Sequence, residues 1–420
     1  MKVRRPIAWL LAVALVGALA AIGGTVTSAK AAQHKGVTIT IWDYFDAPPN
    51  GTAERNALMK VAQQWAKKTG NKVVNPGYVA NKENKFIQAA PAGQGPDILM
   101  EPHDRLGSFV APGLLSTAPK NLLTAGQRKG YTPVSLQAFT YNGKLYGLPW
   151  ARETYFLFYN KALVKTPPAT WSALISQAKG LTHGDQYGFL WDTTNFYYDY
   201  AFIAGNGGYV FQQTKSGYNP QRLGINTPGS IAGLKFIQDL VTVHKLVPPA
   251  TNTDIMEGKF AAGQAGMIID GPWAVANFKA KGVNFGVAAL PAFSKTKPMR
   301  PFVGVQGFLV NSKSQHTKEA WDLVKYLSQN AQLPLFKAAG RVPVLNALAN
   351  KAIVKKSPVT QAVINSSNVG QAMPNIPAMA VVWQPMANAL SALVNGKTTP
   401  AAAAADAQKA IQTAIAQQGG

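Results

Sequence analysis

The stretch AGMIIDGPWAVANF, from Ala265 to Phe278, has the pattern of a buried strand, a tight turn and a helix. The apolar run that ends at Asp270 predicts the strand. Gly271-Pro272 ends it and favours a helix with proline at its first position. Ligands of open α/β sheets bind beyond the carboxyl ends of the strands, so Trp273, just after the turn, is expected to face such a crevice. Packing of Trp273 in the core is the alternative.

Segments with strand and helix patterns alternate on both sides of this stretch, and Asn142-Gly143 predicts a hairpin turn between them. Thr227-Pro228 favours a helix start. This alternation is typical of βαβ units and a parallel sheet, and therefore of an α/β fold. Strands are predicted over Val37–Trp42, Asn71–Val79, Asp97–Met100, Glu153–Asn160, Ala265–Asp270 and Val283–Leu290, and helices over Thr52–Thr69, Lys82–Ala92, Asn195–Phe202, Gly229–His244, Lys318–Gln329, Met379–Val394 and Pro400–Gln418.

The first residues have the pattern of a secretory signal. MKVRR is followed by the apolar run IAWLLAVALVGALAAI and by small residues around Ala29-Lys30-Ala31. Residues 1–31 are therefore predicted to be a signal peptide, and an uncleaved membrane anchor is the alternative. In either case the main body of the chain is expected outside the cytoplasm. The 420 residues leave room for two or three domains.

Cysteine is absent, which excludes disulfides, thiolate metal sites and a lipid anchor on cysteine. The net charge is +23, or +19 without Lys2, Arg4, Arg5 and Lys30. The basic residues are dispersed, and no nucleic-acid-reading motif is present, so no nucleic-acid partner is expected. A polyanion-binding surface protein stays open as a remote alternative, with salt-dependent affinity as its signature.

The large positive charge reflects a shortage of acidic residues, since Asp and Glu together number 18. Ion-paired carboxylates lose their contribution to stability as pH falls, so a chain with few such pairs has less to lose in acid. Acid tolerance outside the cell is one interpretation, and a compositional bias of the genome is the other.

The sequence contains none of the common motifs of hydrolases, phosphate-binding loops, zinc proteases or dinucleotide-binding enzymes. The five histidines lie far apart and lack metal-ligand spacing, so neither a metal nor a cofactor is expected. Paired carboxylates could still serve a glycosidase, which keeps that enzyme class open. The candidates are Asp43, Asp46, Glu83, Glu101, Asp104 and Glu153.

Aromatic residues give the stronger signal. Trp42, Trp273 and Trp383 abut Asp, Gly-Pro or Gln-Pro rather than lying inside apolar runs, which favours positions at the crevice. An indole ring offers a flat apolar face that matches the C–H face of a sugar ring. Aromatic rings with a few carboxylates and an arginine for the hydroxyls are typical of a carbohydrate site, which needs no catalysis.

Seven segments resemble, in the same order, the maltose/maltodextrin-binding proteins of ABC importers. They are GPDILMEPHDRLGSFVAPGLL (95–115), YNGKLYGLPWARE (141–153), FYNKALV (158–164), GMIIDGPWAVANF (266–278), VNFGVAALPAF (283–293), PFVGV (301–305) and MPNIPAM (373–379). The resemblance covers nearly all of the exported chain.

The resemblance implies a periplasmic-binding-protein-like fold, in which two α/β lobes are joined by a hinge and enclose a ligand cleft. Lobe 1 would comprise residues 32–152 and 305–353, and lobe 2 residues 153–304 and 354–420. The chain would be a non-enzymatic extracellular protein, expected to be a monomer, that binds malto-oligosaccharide and delivers it to the permease subunits of an ABC transporter. A different oligosaccharide or a polyol on the same scaffold is the alternative.

The resemblance also implies a set of sugar-binding residues. They are Trp42, Asp46, Glu83, Asp104, Arg105, Glu153, Tyr197, Trp273 and Trp383. The sequence departs from the family pattern at four positions. Glu101 stands where maltose binders usually have Trp, Asn195 where Glu is expected, and Gln384 and Ala387 where Tyr and Arg are expected. These departures affect the preferred linkage and length of the sugar.

Overall fold

The computed structural model describes residues 36–214, 217–249 and 251–418, and the predicted signal peptide lies outside these ranges. The strands are β1 (Thr38–Trp42), β2 (Lys72–Val74), β3 (Ile98–Pro102), β4 (Thr140–Tyr141), β5 (Lys144–Leu145), β6 (Gly147–Glu153), β7 (Phe156–Asn160), β8 (Tyr187–Leu190), β9 (Phe211–Thr214), β10 (Gly217–Leu223), β11 (Ala265–Asp270), β12 (Phe285–Ala288), β13 (Phe302–Val310) and β14 (Gln371–Ala372).

The α-helices alternate with these strands, and short 3₁₀ turns cover Ala90–Ala92, His103–Arg105, Pro272–Ala274 and Pro377–Val381. The helices are α1 (Thr52–Thr69), α2 (Lys82–Ala89), α3 (Leu106–Val110), α4 (Ala125–Lys129), α5 (Pro133–Ala138), α6 (Trp171–Leu181), α7 (Phe196–Gly205), α8 (Pro228–Thr242), α9 (Thr253–Ala261), α10 (Val275–Ala280), α11 (Thr317–Asn330), α12 (Gln332–Ala339), α13 (Asn346–Ala349), α14 (Ala352–Lys355), α15 (Pro358–Val369), α16 (Trp383–Val394) and α17 (Pro400–Gln418).

Lobe 1 is built on a sheet with the strand order β14-β13-β3-β1-β2, and β6 also pairs with β13. β1 runs parallel to β2 and β3, whereas β13 runs antiparallel to β3 and β6. Helices α1 and α11 cover this sheet with apolar faces, which include Leu58, Trp65, Leu323 and Leu327. The buried residues form one continuous cluster drawn from residues 39–151 and 305–344.

Lobe 2 is built on a second sheet with the strand order β12-β7-β11-β8. β11 runs parallel to β8 and antiparallel to β7. A second cluster of buried residues, drawn mainly from 155–302 and 359–411, packs helices α6, α7, α8, α16 and α17 around this sheet. Each lobe therefore has its own hydrophobic core, and the chain is an α/β protein of two lobes.

The chain passes from one core cluster to the other three times. The passages lie between Ala151 and Tyr155, between Phe302 and Val305, and between Leu345 and Val359. The first two are nearly extended, since β6 is followed at once by β7, and β13 spans the second. Short extended connections between two independent cores have the form of a hinge.

The sequence prediction of a parallel sheet is wrong for part of each lobe. β7 runs antiparallel to β11 and β12, and β13 runs antiparallel to β3 and β6, because the chain enters each of these strands from an extended interlobe passage rather than from a crossover helix. The strand predicted over 153–160 is divided at this passage, between Glu153 and Phe156. The strand predicted over 71–79 ends at Val74, since Pro76 lacks an N–H group and Gly77 adopts a φ of 88°.

Other local predictions are confirmed. Helix α1 has the predicted bounds, and Gly70 ends it with a φ of 73°. The Thr227 side chain caps α8 by accepting a hydrogen bond from the Ser230 N–H. β11 covers the predicted range, and Pro272 starts the following turn of helix. Among the described residues, no helix combines the length and the apolar character that spanning a membrane would need.

Candidate functional site

A cavity of about 450 Å³ lies between the lobes, and groups from both lobes line it. Lobe 1 contributes Tyr44, Asp46, Glu83, Pro102, Asp104 and Arg105, and lobe 2 contributes Asn195, Tyr197, Tyr198, Thr253, Glu257, Trp273 and Trp383. Glu153, Arg341 and Met373 complete the lining from segments close to the interlobe passages. The cavity therefore has a charged side and a mainly aromatic side.

Trp273 is held at the carboxyl end of β11 by the turn that precedes it. Its half-buried ring lies 6.0 Å from that of Tyr197 and 6.5 Å from that of Tyr198. The six-membered part of the indole lies directly against Gly271, where a Cβ atom would come within 2.1 Å of the ring. Glycine is thus required at position 271 if the indole is to keep this orientation.

Trp383 and Tyr197 form the rest of the aromatic side. The Trp383 ring packs edge-on against Phe196 and Phe302, with centroids 6.0 and 6.1 Å apart. The Tyr197 ring stacks on Phe302 at 6.4 Å. Within the described part of the chain, the buried Trp383 Nε1 and the Tyr197 hydroxyl have no hydrogen-bond partner. Both groups line the cavity, so a ligand with oxygen atoms could satisfy them.

Glu153, the last residue of β6, is held by a buried network at the first interlobe passage. Arg341 Nη1 donates to its Oε2 over 2.9 Å, Gln306 Nε2 donates to its Oε1, and Arg341 Nε donates to Glu54 Oε1 over 2.6 Å. Burial raises the pKa of Glu153, and the Arg341 guanidinium and the Gln306 hydrogen bond partly offset the shift. The network fixes the carboxylate at the cavity wall.

Arg105 connects the two sides of the cavity. Its Nε lies 3.2 Å from Glu83 Oε1 and 3.5 Å from Asp104 Oδ2, and its guanidinium lies 5.7 Å from the ring centre of Trp383. Burial raises the pKa of Asp104, and Arg105 opposes the shift. Asp104 Oδ1 is buried and has no hydrogen-bond partner among the described residues, so it can accept from a ligand hydroxyl.

Glu257 and Asp270 form a carboxyl pair at the Trp273 end of the cavity. Burial raises the pKa of Asp270 well above its ordinary value, and the negative charge of Glu257 adds to the shift. Asp270 Oδ1 also accepts from the Tyr198 hydroxyl over 3.1 Å and from the Gly271 N–H over 2.7 Å. Burial, with the negative charge of Asp46 as the next cause, raises the pKa of Glu257 to about 7.

The structure brings most of the predicted site residues to one cavity. Its lining includes Asp46, Glu83, Asp104, Arg105, Glu153, Tyr197, Trp273 and Trp383. Trp42 does not line it, because its half-buried ring packs against the lobe 1 core. Strand β1 ends at Trp42, and Tyr44, two residues further on, is the aromatic residue of this loop that faces the cavity.

The cavity residues that the sequence prediction does not include are led by Tyr44, Glu257 and Arg341. Tyr44 lies in the loop between β1 and α1, and Glu257 lies on α9, where no sequence motif marks it. Arg341 pairs with a residue 287 positions away in the sequence, which no local pattern reveals. Within the described residues, no cluster of three or more His, Asp or Glu side chains could hold a metal ion.

Two α/β lobes with a lined cavity between them define a two-lobed ligand-binding protein. Residues 60–362 match the family described as bacterial extracellular solute-binding protein, and the chain belongs to this family.

Three similar proteins have specific names. The galactooligosaccharide-binding protein of Bacillus subtilis (strain 168) is 32% identical over 400 residues, covering 93% of each chain. The maltooligosaccharide ABC transporter solute-binding lipoprotein of Streptococcus pneumoniae (strain ATCC BAA-255 / R6) is 32% identical over 385 residues, covering 87% of this chain and 88% of its own. The X-ray structure of the maltose-maltodextrin binding protein of the thermoacidophilic bacterium Alicyclobacillus acidocaldarius is similar with a TM-score of 0.82 and 33% identity, covering 89% of this chain and 100% of its own.

Proposed function

We propose that this protein binds a malto-oligosaccharide in the interlobe cavity and delivers it to an ABC transporter in the membrane. The arrangement of Tyr197, Trp273 and Trp383 on one side of the cavity, opposite Asp104, Arg105 and Glu153 on the other, carries the proposal. Flat aromatic faces suit the C–H faces of glucose rings, and fixed charged groups suit the hydroxyls at the rims of the rings.

The charges of the cavity favour a neutral ligand with many hydroxyl groups. Arg105 and Arg341 are both paired with carboxylates and have little positive charge left for an anion. Asp104 Oδ1 and the Tyr197 hydroxyl remain without partners among the described residues. A sugar hydroxyl both donates and accepts, so it can satisfy each of these groups.

The names of relatives support a sugar ligand but differ in the sugar. One relative is named for galactooligosaccharide and another for maltooligosaccharide, at the same 32% identity. A galacto-oligosaccharide is therefore the second candidate. We favour the malto-oligosaccharide because the solved structure with a TM-score of 0.82 is named for maltose and maltodextrin.

Ligand binding is proposed to stabilise a closed arrangement of the two lobes. Lobe 1 is proposed to comprise residues 32–152 and 305–353, and lobe 2 residues 153–304 and 354–420. Only a closed arrangement gives the sugar contacts with both sides of the cavity at once, so the sugar shifts the equilibrium towards closure. The protein is proposed to act outside the cytoplasm, as a monomer and without catalysis. Size measurement in solution tests the monomer, and a lack of newly released reducing ends from bound sugar tests the absence of hydrolysis.

A sugar panel read by calorimetry tests the function. Maltotriose, a galacto-oligosaccharide and a polyol are titrated into the full-length protein. Binding of maltotriose in preference to the other two supports the proposal, preference for the galacto-oligosaccharide favours the second candidate, and failure to bind any glucan contradicts the maltodextrin assignment. Affinity that falls steeply with salt would instead indicate a polyanion ligand.

A further inference from the structure

A separate cavity of about 270 Å³ lies beside the third interlobe passage. Helix α12 of lobe 1 forms one side of it with Phe336 and Ala339, and helices α10 and α15 of lobe 2 form the other with Val275 and Val359. Among the described residues, this cavity shares no lining residue with the interlobe cavity. The two lobes therefore enclose a second space, for which the proposed sugar-binding function has no use.

The walls of this cavity are apolar. Val275 is 2% exposed, and Phe336 and Val359 are each 8% exposed. A Cβ atom at Gly340 would lie 3.8 Å from Cγ1 of Val275 and 3.8 Å from Cγ1 of Val359, so the chain after α12 runs close against lobe 2. Ile353 also lines the cavity and keeps 54% of its surface exposed. The space thus offers hydrocarbon surface that a ligand could cover.

Two lysines give this cavity a positive charge. Lys279 on α10 and Lys337 on α12 both line it, one from each lobe, and both are exposed. Neither of them forms an ion pair with a described residue. The three segments around the cavity, residues 275–281, 332–341 and 350–359, contain neither Asp nor Glu. The same segments carry four further lysines, Lys281, Lys351, Lys355 and Lys356.

These features favour an anion with an apolar stem over a sugar. The stem suits the apolar walls, and a carboxylate suits the two ammonium groups. Lys279, Lys337 and Ser357 are the polar side chains among the described lining residues, which is too few for the hydroxyls of an oligosaccharide. If each non-hydrogen atom takes about 30 Å³, the share of a water molecule in the liquid, the cavity holds about nine of them.

We propose that this cavity binds a small amphipathic carboxylate of about nine or ten non-hydrogen atoms. Lys279 and Lys337 pair with its charge, and Val275, Phe336 and Val359 cover its stem. The ligand contacts α10 of lobe 2 and α12 of lobe 1 at the same time. This site is distinct from the interlobe cavity and does not depend on which sugar the protein binds.

Calorimetric titration of octanoate into the full-length protein at neutral pH tests the site, with saturating maltotriose present to occupy the interlobe cavity. Octanoate is expected to bind saturably with one site per chain. Octanamide has the same length and no charge, so it lacks the ion pairs. It is expected to bind about tenfold more weakly than octanoate.

Two kinds of variant locate the bound octanoate. Lys279→Met and Lys337→Met are each expected to reduce its affinity by about two- to fivefold, as for an exposed ion pair, and to leave octanamide binding unchanged. Both lysines are exposed, so the fold should tolerate these changes. Ala276→Trp fills the cavity and is expected to abolish octanoate binding. Lys409→Met, at an exposed site on α17 outside both cavities, is the matched control.

Three results would overturn the inference. The first is a lack of saturable octanoate binding, and the second is equal affinity for octanoate and octanamide. The third is an affinity for octanoate that falls as much in Lys409→Met as in Lys279→Met and Lys337→Met, which would indicate a general effect of net charge. Octanoate binding that appears only without maltotriose would place octanoate in the interlobe cavity and would also contradict the proposed site. None of these results bears on the binding of sugar itself.

Discussion

Arg341 Nη1 donates a 2.9 Å hydrogen bond to Glu153 Oε2, and Arg341 Nε donates to Glu54 Oε1 over 2.6 Å. All three side chains are almost fully buried. Glu153 ends β6 at the first interlobe passage, and the Arg152 N–H next to it donates to the Val342 carbonyl oxygen. One guanidinium thus joins helix α1 to the segment from which the chain passes between the lobes.

Replacement of Arg341 by Met is expected to destabilise the protein by about 3–5 kcal/mol, because two buried carboxylates lose their shared cation. Burial already raises the pKa values of Glu54 and Glu153, and removal of Arg341 raises them further. The loss should therefore be smaller in acid, where both carboxyl groups take up protons. Urea unfolding at neutral and acidic pH measures this.

The matched control removes a cation from a surface pair. Lys235 Nζ lies 2.7 Å from Asp239 Oδ2, one turn away on the solvent-facing side of helix α8. Lys235→Met is expected to cost no more than about 0.5 kcal/mol. A comparable cost for Arg341→Met and Lys235→Met would show that the buried network contributes nothing special.

Truncation of Trp273 to Ala is expected to weaken malto-oligosaccharide binding by about tenfold or more, since one face of the sugar loses its stacking partner. The ring is only half-buried, so the melting temperature should change little. Titration calorimetry and thermal unfolding on the same sample separate the two effects.

Trp321 provides the opposite case. It is 2% exposed in the lobe 1 core and lies outside the cavity. Trp321→Ala is expected to lower stability by about 3–5 kcal/mol and to leave the affinity of the folded protein unchanged. If Trp273→Ala instead lost stability and kept its affinity for sugar, Trp273 would be a packing residue of the core rather than a sugar-binding residue.

Gly271→Ala is expected to weaken sugar binding indirectly, by moving the ring of Trp273. The added Cβ would lie 2.1 Å from the Trp273 ring, so the indole must leave its position. The change should appear as a shift in tryptophan fluorescence and a loss of affinity. Gly258→Ala is the control, since a Cβ there meets no atom within 4 Å and alanine favours helix α9 by about 0.5–1 kcal/mol. Unchanged affinity in Gly271→Ala would mean that the orientation of the indole is unimportant.

The sequence predicts those features that depend on local patterns. The strand Ala265–Asp270, the cap at Thr227 and the start at Pro272 follow from residue types within a few positions. The direction of β7 and β13 depends on where the chain passes between the lobes. The spacing of hydrophobic residues along the sequence carries no information about these passages.

The cavity residues divide in the same way. Trp273 is predictable because Gly271-Pro272 marks its turn. Arg341 is not, because its partner Glu54 lies on a distant helix. The prediction names Trp42, whereas Tyr44, two positions further on, lines the cavity. The sequence does not show whether an aromatic residue at the end of β1 faces the core or the cleft.

The pair of Glu257 and Asp270 predicts how stability depends on pH. Burial and the charge of Asp46 raise the pKa of Glu257 to about 7, above its ordinary value of 4.5. Between pH 4.5 and about pH 7, Glu257 therefore keeps its proton in the folded protein and has lost it in the unfolded chain. The contribution of Glu257 to stability is full below pH 4.5 and is lost as the pH rises through about 7.

Glu257→Gln is expected to reduce this fall in stability, because its amide is neutral at every pH of the experiment. The free energy of unfolding of the wild type should decrease between about pH 5 and about pH 8 by on the order of 1 kcal/mol more than that of Glu257→Gln. Asp406→Asn, at an exposed site on α17, is the control and should follow the wild type. Equal pH profiles for the wild type and Glu257→Gln would show that Glu257 is ionised throughout. A buried carboxyl group with a raised pKa gains stability for the protein as the pH falls. A free energy of unfolding that decreases towards acidic pH in all variants would therefore count against acid tolerance.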